Sequence, residues 1–268
     1  MKNISSFLPT LIFSIIISYF GFCHAATRVT VYCDDNYPPY SYMEEGEAKG
    51  IYVEIFKKAF SLMNNYIVRI RAVPYKRGLH YLKEGAGFAL FPPYYRPKER
   101  PYIWPYSEPV LLEEVIVVCR EKVVKKLSAF KWPEDYYGLI IGNNAGFKLG
   151  GEKFREAEKN KKIIIDEARG NRENILKLGL NRTDCYINDR LSILWELNRL
   201  KKKGAYNERC SKILETTVIS SEHGYLGFSR KDKAFSFKKD FIKDINRIIK
   251  KMRDSGEIKK IVSNFMKK

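Results

Sequence analysis

Histidine and cysteine are both scarce in this chain. Of its 268 residues, three are histidine and five are cysteine. His80 and His223 stand far apart with no CxxC companion, so no ligand set with metal-site spacing is present. The same scarcity leaves no Ser–His–Asp constellation for nucleophilic catalysis. Long apolar runs are missing too. Past residue 25, no segment approaches the roughly 20 apolar residues that a membrane-spanning helix needs. No stretch repeats another, and no motif asks for a cofactor.

The one apolar run lies at the start. Lys2, the stretch from Leu11 to Phe22, and Cys23-His24-Ala25 together read as a secretory signal over residues 1–25, cleaved before Ala26. Phe22 stands before Cys23 where a lipid-attachment signal would carry a small residue. The mature chain is therefore expected to be exported and soluble. It has 243 residues (268 less 25), enough for two compact lobes. Its formal charge is +17 (+18 less Lys2). A basic chain favours anionic partners such as nucleic acid or a membrane surface. Here the lysines are scattered and interleaved with Glu and Asp, so they read as solvated helix faces and nucleic acid is not an expected partner. Lys201-Lys202-Lys203, the densest run, suits the C-terminal end of a helix.

Val29–Cys33 alternates apolar and polar residues as a half-buried strand does. Val53, Phe56, Phe60 and Met63 recur at helical spacing. A strand over Tyr66–Val73 is closed by Pro74, and a short helix over Tyr75–Lys83 is stopped by Gly85. The strand Phe88–Phe91 runs into Pro92-Pro93-Tyr94-Tyr95. This βαβαβ order predicts a parallel, doubly wound sheet. After the apolar strand Val115–Cys119 the pattern restarts. Leu139–Ile141 ends in Gly142-Asn143-Asn144-Ala145-Gly146, and a helix follows through Phe154 and Ala157. Ile163–Ile165, Glu173–Leu180 and Cys185–Ile187 give a strand, a helix and a strand that ends at Asn188-Asp189. The restart predicts a second lobe of the same class. Phe241, Ile245, Ile248, Ile249 and Met252 share a helical face, Ser255-Gly256 breaks it, and Ile258, Ile261, Val262 and Phe265 resume it as core packing.

The most informative stretch is Asp34-Asp35-Asn36-Tyr37-Pro38-Pro39-Tyr40-Ser41-Tyr42, which closes the first strand. A stiff, aromatic, polar turn at a strand's carboxyl end is how open α/β sheets present a small-molecule site. With Gly50 behind it, this turn is one of a series of markers. The others are Glu99-Arg100 with Tyr106-Ser107-Glu108-Pro109, then Gly142 to Gly146, and Arg182-Thr183-Asp184 with Asp189. Tyr225-Leu226-Gly227-Phe228-Ser229 and Asp254-Ser255-Gly256 before Ile258 complete it. In order and spacing the chain resembles the family 3 extracellular solute-binding proteins, the polar-amino-acid binding subunits of ABC importers. That resemblance implies the type II periplasmic binding fold: two doubly wound α/β lobes joined by two crossover strands, with ligand in the cleft. Lobe 1 would be residues 26–118 and 224–268, and lobe 2 residues 119–223. Cys185–Cys210 is the expected disulfide, because both fall in lobe 2; four free thiols are the alternative.

The resemblance also implies roles for single residues. Arg100 matches the arginine that clamps a ligand carboxylate, against the bland reading of a surface arginine beside Glu99. Asp189 matches the carboxylate that receives the ligand's ammonium group, or simply caps the helix starting near Leu191. Tyr37 matches an aromatic that stacks on the ligand side chain, or packs on Pro38. Asp34 matches a contact to basic side chains, or forms an Asx-turn. Asn143 and Asn144 enter a helix, where they meet a carboxylate or act as caps. Pro92, Pro93, Tyr95 and Pro97 stand where the pattern has residues that donate to that carboxylate, and proline has no N–H. A larger, aromatic or differently charged solute suits a cleft lined by Tyr37, Phe91, Tyr94 and Tyr95. The expected function is a monomeric periplasmic protein that captures a small polar, amino-acid-like solute by hinge closure and delivers it to an inner-membrane ABC permease. A ligand sensor for a signalling partner is one rival. A dehydratase of cyclic acids is another, with Asp189 and Glu222 as its only candidate acids.

Overall fold

The computed structural model describes residues 26–267; the signal expected over residues 1–25 lies outside them. Strand β1 (Thr27–Asp34) is followed by β2 (Asn36–Tyr37), β3 (Ser41–Glu44) and β4 (Glu47–Lys49), which form a small antiparallel sheet of their own. Helix α1 (Ile51–Ser61), β5 (Tyr66–Val73), α2 (Tyr75–Glu84), β6 (Ala89–Phe91) and β7 (Ile103–Tyr106) complete the first run. Next come β8 (Leu111–Arg120), α3 (Glu121–Val124), β9 (Ile140–Asn144), α4 (Gly151–Lys159), β10 (Ile164–Ala168), α5 (Asn171–Gly179), β11 (Cys185–Asp189), α6 (Arg190–Lys202) and β12 (Ile213–Gly224). The chain closes with β13 (Gly227–Ser229), α7 (Lys238–Asp254) and α8 (Glu257–Lys267).

Two five-stranded sheets result. The first has the order β5-β1-β6-β13-β7, with β5, β1 and β6 parallel and β13 antiparallel to both of its neighbours. Its edge strand β7 carries Pro105, which a central strand would not tolerate for want of an N–H. The second has the order β10-β9-β11-β8-β12, parallel across β10, β9 and β11 and antiparallel at β8 and β12. The doubly wound reading of the βα repeats thus holds for the three parallel strands at one side of each sheet, and a single reversed strand, β13 in the first and β8 in the second, joins them to the edge strands β7 and β12. The chain leaves the first sheet after β7 and re-enters it at β13. Both crossings run side by side, since Val110 N–H donates to the Gly224 carbonyl at 3.0 Å.

Local chemistry explains the elements. Gly50 precedes α1 at φ 127°, and a Cβ there would lie 2.4 Å from the Tyr40 carbonyl oxygen, so only glycine lets the turn fold back on the helix start. Helix α2 ends at Gly85 in the left-handed region. Helix α7 buries Phe241, Ile245, Ile248, Ile249 and Met252 against the first sheet's core, which also holds Phe56, Phe91 and Phe228. The second sheet is covered on one face around Tyr136 and Phe154, and on the other around Ile175, Leu178 and Tyr186.

The expected Cys185–Cys210 bridge is corrected. Cys185 is bonded to Cys119, its cross-strand register partner on β8. The reason is register: β11 lies between β9 and β8, which sets the two Cα atoms 4.0 Å apart. Cys210 lies in the loop after α6 as a half-buried free thiol. Cys33 is free and fully buried in the first core, and burial pushes its thiol up to about 12.

Candidate ligand cleft

The carboxyl ends of β1 and β6 in one sheet, and of β9 and β11 in the other, open onto a common cleft. It holds two cavities of about 630 Å³ and 360 Å³, and Tyr94, Val115, Leu149 and Asp189 line both. Tyr37 and Asn36 close the larger cavity from the first sheet's side. The starts of α5 and α6 close it from the second. Arg96, Glu113 and Glu222 line the smaller, inner cavity, beside the two crossing strands. A groove of about 640 Å³ along α1 and β5 is lined by Phe60, Met63, Tyr66 and Ile67 but has none of the buried carboxylates.

From the first sheet's side the chemistry is phenolic. Glu113, on β8, is 4% exposed, and its carboxylate accepts from Tyr37 and Tyr52 at 2.6 Å and from Tyr94 at 2.7 Å. Burial lifts its pKa to about 7, against the pull of those three hydroxyls. Tyr52 reaches Glu113 only because residue 224 is glycine; a Cβ there would stand 1.8 Å from the Tyr52 oxygen. Tyr40 is buried, stacks on Tyr37 at 4.9 Å, and donates to Asp189 Oδ2 at 2.7 Å. Asp189 is 8% exposed and caps α6 by accepting the Ser192 N–H at 2.8 Å. Burial raises its pKa while the Ser192 and Tyr40 donors pull it down. Tyr40–Asp189 is therefore a hydrogen bond between the two halves of the molecule. Tyr42 against Trp195, with centroids 5.9 Å apart, is a second contact between them.

From the second sheet's side the chemistry is amide. Asn171 Oδ1 accepts from Asn144 at 2.8 Å and from Asn188 at 2.7 Å. Asn174 Nδ2 donates to Asn144 Oδ1 at 2.9 Å and to the Asn143 carbonyl at 3.1 Å. The Tyr186 hydroxyl donates to Asn144 Oδ1 at 2.9 Å and accepts from Asn188 at 2.9 Å. These shared hydrogen bonds hold one arrangement of the strand ends, although Asn143 Oδ1 and Asn174 Oδ1 are buried with no partner of their own.

Of the seven ligand-binding residues assigned from sequence, Tyr37, Asn144 and Asp189 line the cleft together, as do Tyr94 and the candidate acid Glu222. Four of the seven do not. Arg100 lines neither cavity: its guanidinium lies over the Tyr75 ring, 5.5 Å from the centroid, and donates to that hydroxyl at 2.8 Å. Tyr75 opens α2 and draws the arginine away, whereas Arg96, four residues earlier, lines the inner cavity and pairs with Glu222. Asp34 accepts the Asn36 N–H at 3.1 Å, an Asx-turn geometry. Asn143 is wholly buried and donates to the Phe147 carbonyl at 2.9 Å. Tyr95 is 48% exposed and packs on Tyr106. Phe91 belongs to the core. Sequence reasoning missed Glu113, Tyr40, Tyr52, Asn171 and Asn188. The signal for Glu113 was available: a carboxylate two residues before Val115 and four before Val117 shares the face of a buried strand.

Residues 29–268 match the sequence model of the bacterial extracellular solute-binding proteins, family 3. Among solved structures, the chain is similar to the L-cystine solute receptor of Neisseria gonorrhoeae in its unliganded open conformation. The TM-score is 0.67 at 17% identity over 91% of this chain and 94% of that one. It is similar to substrate-binding domain 2 of Lactococcus lactis GlnP in its open conformation, with TM-score 0.66 at 13% identity over 90% of this chain and 96% of that one. A histidine kinase sensor domain with similarity to periplasmic binding proteins follows, with TM-score 0.59 at 14% identity over 90% and 96%. No curated protein matches the chain. At these identities the structural likeness establishes the fold, a mixed α/β type II periplasmic binding architecture.

Proposed function

The chain belongs to the bacterial extracellular solute-binding proteins of family 3, and from that premise we propose that it is an exported, monomeric binding protein that captures a small polar solute bearing an ammonium group. The single observation behind this reading is the pairing of a cleft with a buried, cation-free carboxylate at its centre. Asp189 lines both cavities, is nine-tenths buried, and among the described residues belongs to no ion pair. An ammonium group there makes charge-assisted bonds in a water-poor site, where they are stronger than in bulk water.

We assign direct contacts to Tyr37, Tyr94, Asn144 and Asp189. Arg100, Asp34, Asn143 and Tyr95 stand behind them as supports of the strand ends and turns. The two adjacent crossing strands form the hinge. Closure brings the phenol face onto the amide face, and the closed form is what an inner-membrane ABC permease recognises. Neighbouring permease and ATPase genes separate this role from that of a ligand sensor. The test is a thermal-shift screen of amino acids and amines on the wild-type protein and on Asp189→Asn. A solute that raises the wild-type melting temperature and leaves the variant unmoved supports the reading. Equal stabilisation of both proteins refutes the role of Asp189.

A further inference from the structure

Asp189 is not the cleft's only buried carboxylate without a positive partner. Glu113 lines the same inner cavity, and three tyrosine hydroxyls hold it with no ion pair among the described residues. The hydroxyl sets are separate: Tyr37, Tyr52 and Tyr94 serve Glu113, and Tyr40 serves Asp189. The nearby guanidinium groups are committed elsewhere. Arg96 pairs with Glu222, Arg190 with Glu114 and Glu215, and Arg100 bonds to Tyr75. Lys148, Arg169, Arg172 and Arg199 line the cleft only as exposed rim residues, and Arg199 is paired with Glu196. On the first sheet's side, Pro92, Pro93 and Pro97 supply no N–H to an incoming carboxylate.

A buried carboxylate that lacks a counter-ion is costly, and a bound cation offsets that cost. One ammonium group satisfies Asp189; a second, in place of the proton that Glu113 holds below about pH 7, satisfies Glu113. An incoming carboxylate, by contrast, would meet two negative groups and no free buried cation. Resting on the solute-binding reading above, we propose that the inner cavity is built for a diamine: two cationic groups on an apolar stem, one received by Asp189 and the other by Glu113, with no ligand carboxylate clamped. Tyr94 lines the inner cavity and supplies aromatic surface for the stem and the cations, and Tyr37 does so from the adjoining larger one. Glu113 is then the residue that sets specificity.

The experiment compares three probes by isothermal titration calorimetry on the purified protein: cadaverine, lysine and pentylamine. Lysine differs from cadaverine by its carboxylate, and pentylamine by one cationic group. Cadaverine is expected to bind about tenfold or more tighter than either, as befits one buried charge-assisted interaction gained or one repulsion avoided. In Glu113→Gln the cadaverine affinity is expected to fall to that of pentylamine. Lysine binding as tightly as cadaverine would overturn the diamine assignment while leaving the solute-binding reading intact. So would equal binding of cadaverine and pentylamine by the wild-type protein, or stabilisation by some other amino acid when all three probes fail. A protein that binds no solute in any screen would remove both readings.

Discussion

The two sheets share a class but meet the cleft with different chemistry. The first presents tyrosines whose hydroxyls reach outward, to Glu113 on a crossing strand and to Asp189 on the opposite half. The second presents asparagines that bond mainly to one another and to Tyr186. It is also stapled internally by Cys119–Cys185, whereas the cysteine of the first core, Cys33, is free. The amide side is a self-contained platform; the phenol side holds Glu113 by three hydroxyls but reaches across to Asp189 by a single hydrogen bond. If the proposed hinge closure operates, one internally stapled half and one breakable contact between the halves would serve it.

The staple is the largest test of that contrast. In the chain-entropy account, a bridge closing 66 residues contributes about 4 kcal/mol. Reduction, or Cys119→Ser, is expected to lower the melting temperature by a corresponding amount in calorimetry, and an unchanged transition under reductant would break the comparison. Next in size is Asp189→Asn, expected to weaken solute binding by about 3 kcal/mol, on the order of 100-fold in Kd by titration.

Glu113 gives a pH-dependent test. Its pKa is about 7 in the folded chain and 4.5 in its ordinary state. Between those values the native state holds the extra proton. Stability is therefore fully present at low pH and is lost as pH rises through about 7, by up to about 3 kcal/mol. Glu113→Gln removes that loss. Denaturant titration is expected to show the variant more stable than wild type near pH 8 and equal near pH 4; a constant difference at both would contradict the buried-acid account. On the amide side, Asn174→Ala strips donors from Asn143, Asn144 and Gly170 and is expected to cost about 2 kcal/mol of stability. The smallest effect is Tyr40→Phe, about 1 kcal/mol for one hydrogen bond between the halves.

Legibility in the sequence followed physical clarity. Strand β5 was readable to its ends, because alternation stops at Pro74, and α7 and α8 were readable from their single apolar face with a break at Gly256. Strand β12 was not: two register shifts disrupt its pattern, so no clean alternation marks it. The disulfide depended on which strands neighbour each other, and periodicity carries no such information. In the site, Asp189 was readable from its place at a strand end. Glu113 was readable in principle from the alternation it shares with Val115 and Val117, but the continuous apolar run Val115–Cys119 blurs which face of the strand turns inward. Arg96 and Arg100 lie on a proline-rich loop with no period, and tertiary contacts decide their directions: Glu222 for Arg96 and Tyr75 for Arg100.

The account stands on a solute cation seated between the phenol and amide faces. A crystal structure of the protein with the tightest amine from the thermal-shift screen tests this directly. It is expected to show the amine in the cleft, with one nitrogen within hydrogen-bond distance of Asp189 and the stem against Tyr94. An amine bound outside the cleft, or a cleft that stays filled by its own tyrosines with no amine inside, would contradict it.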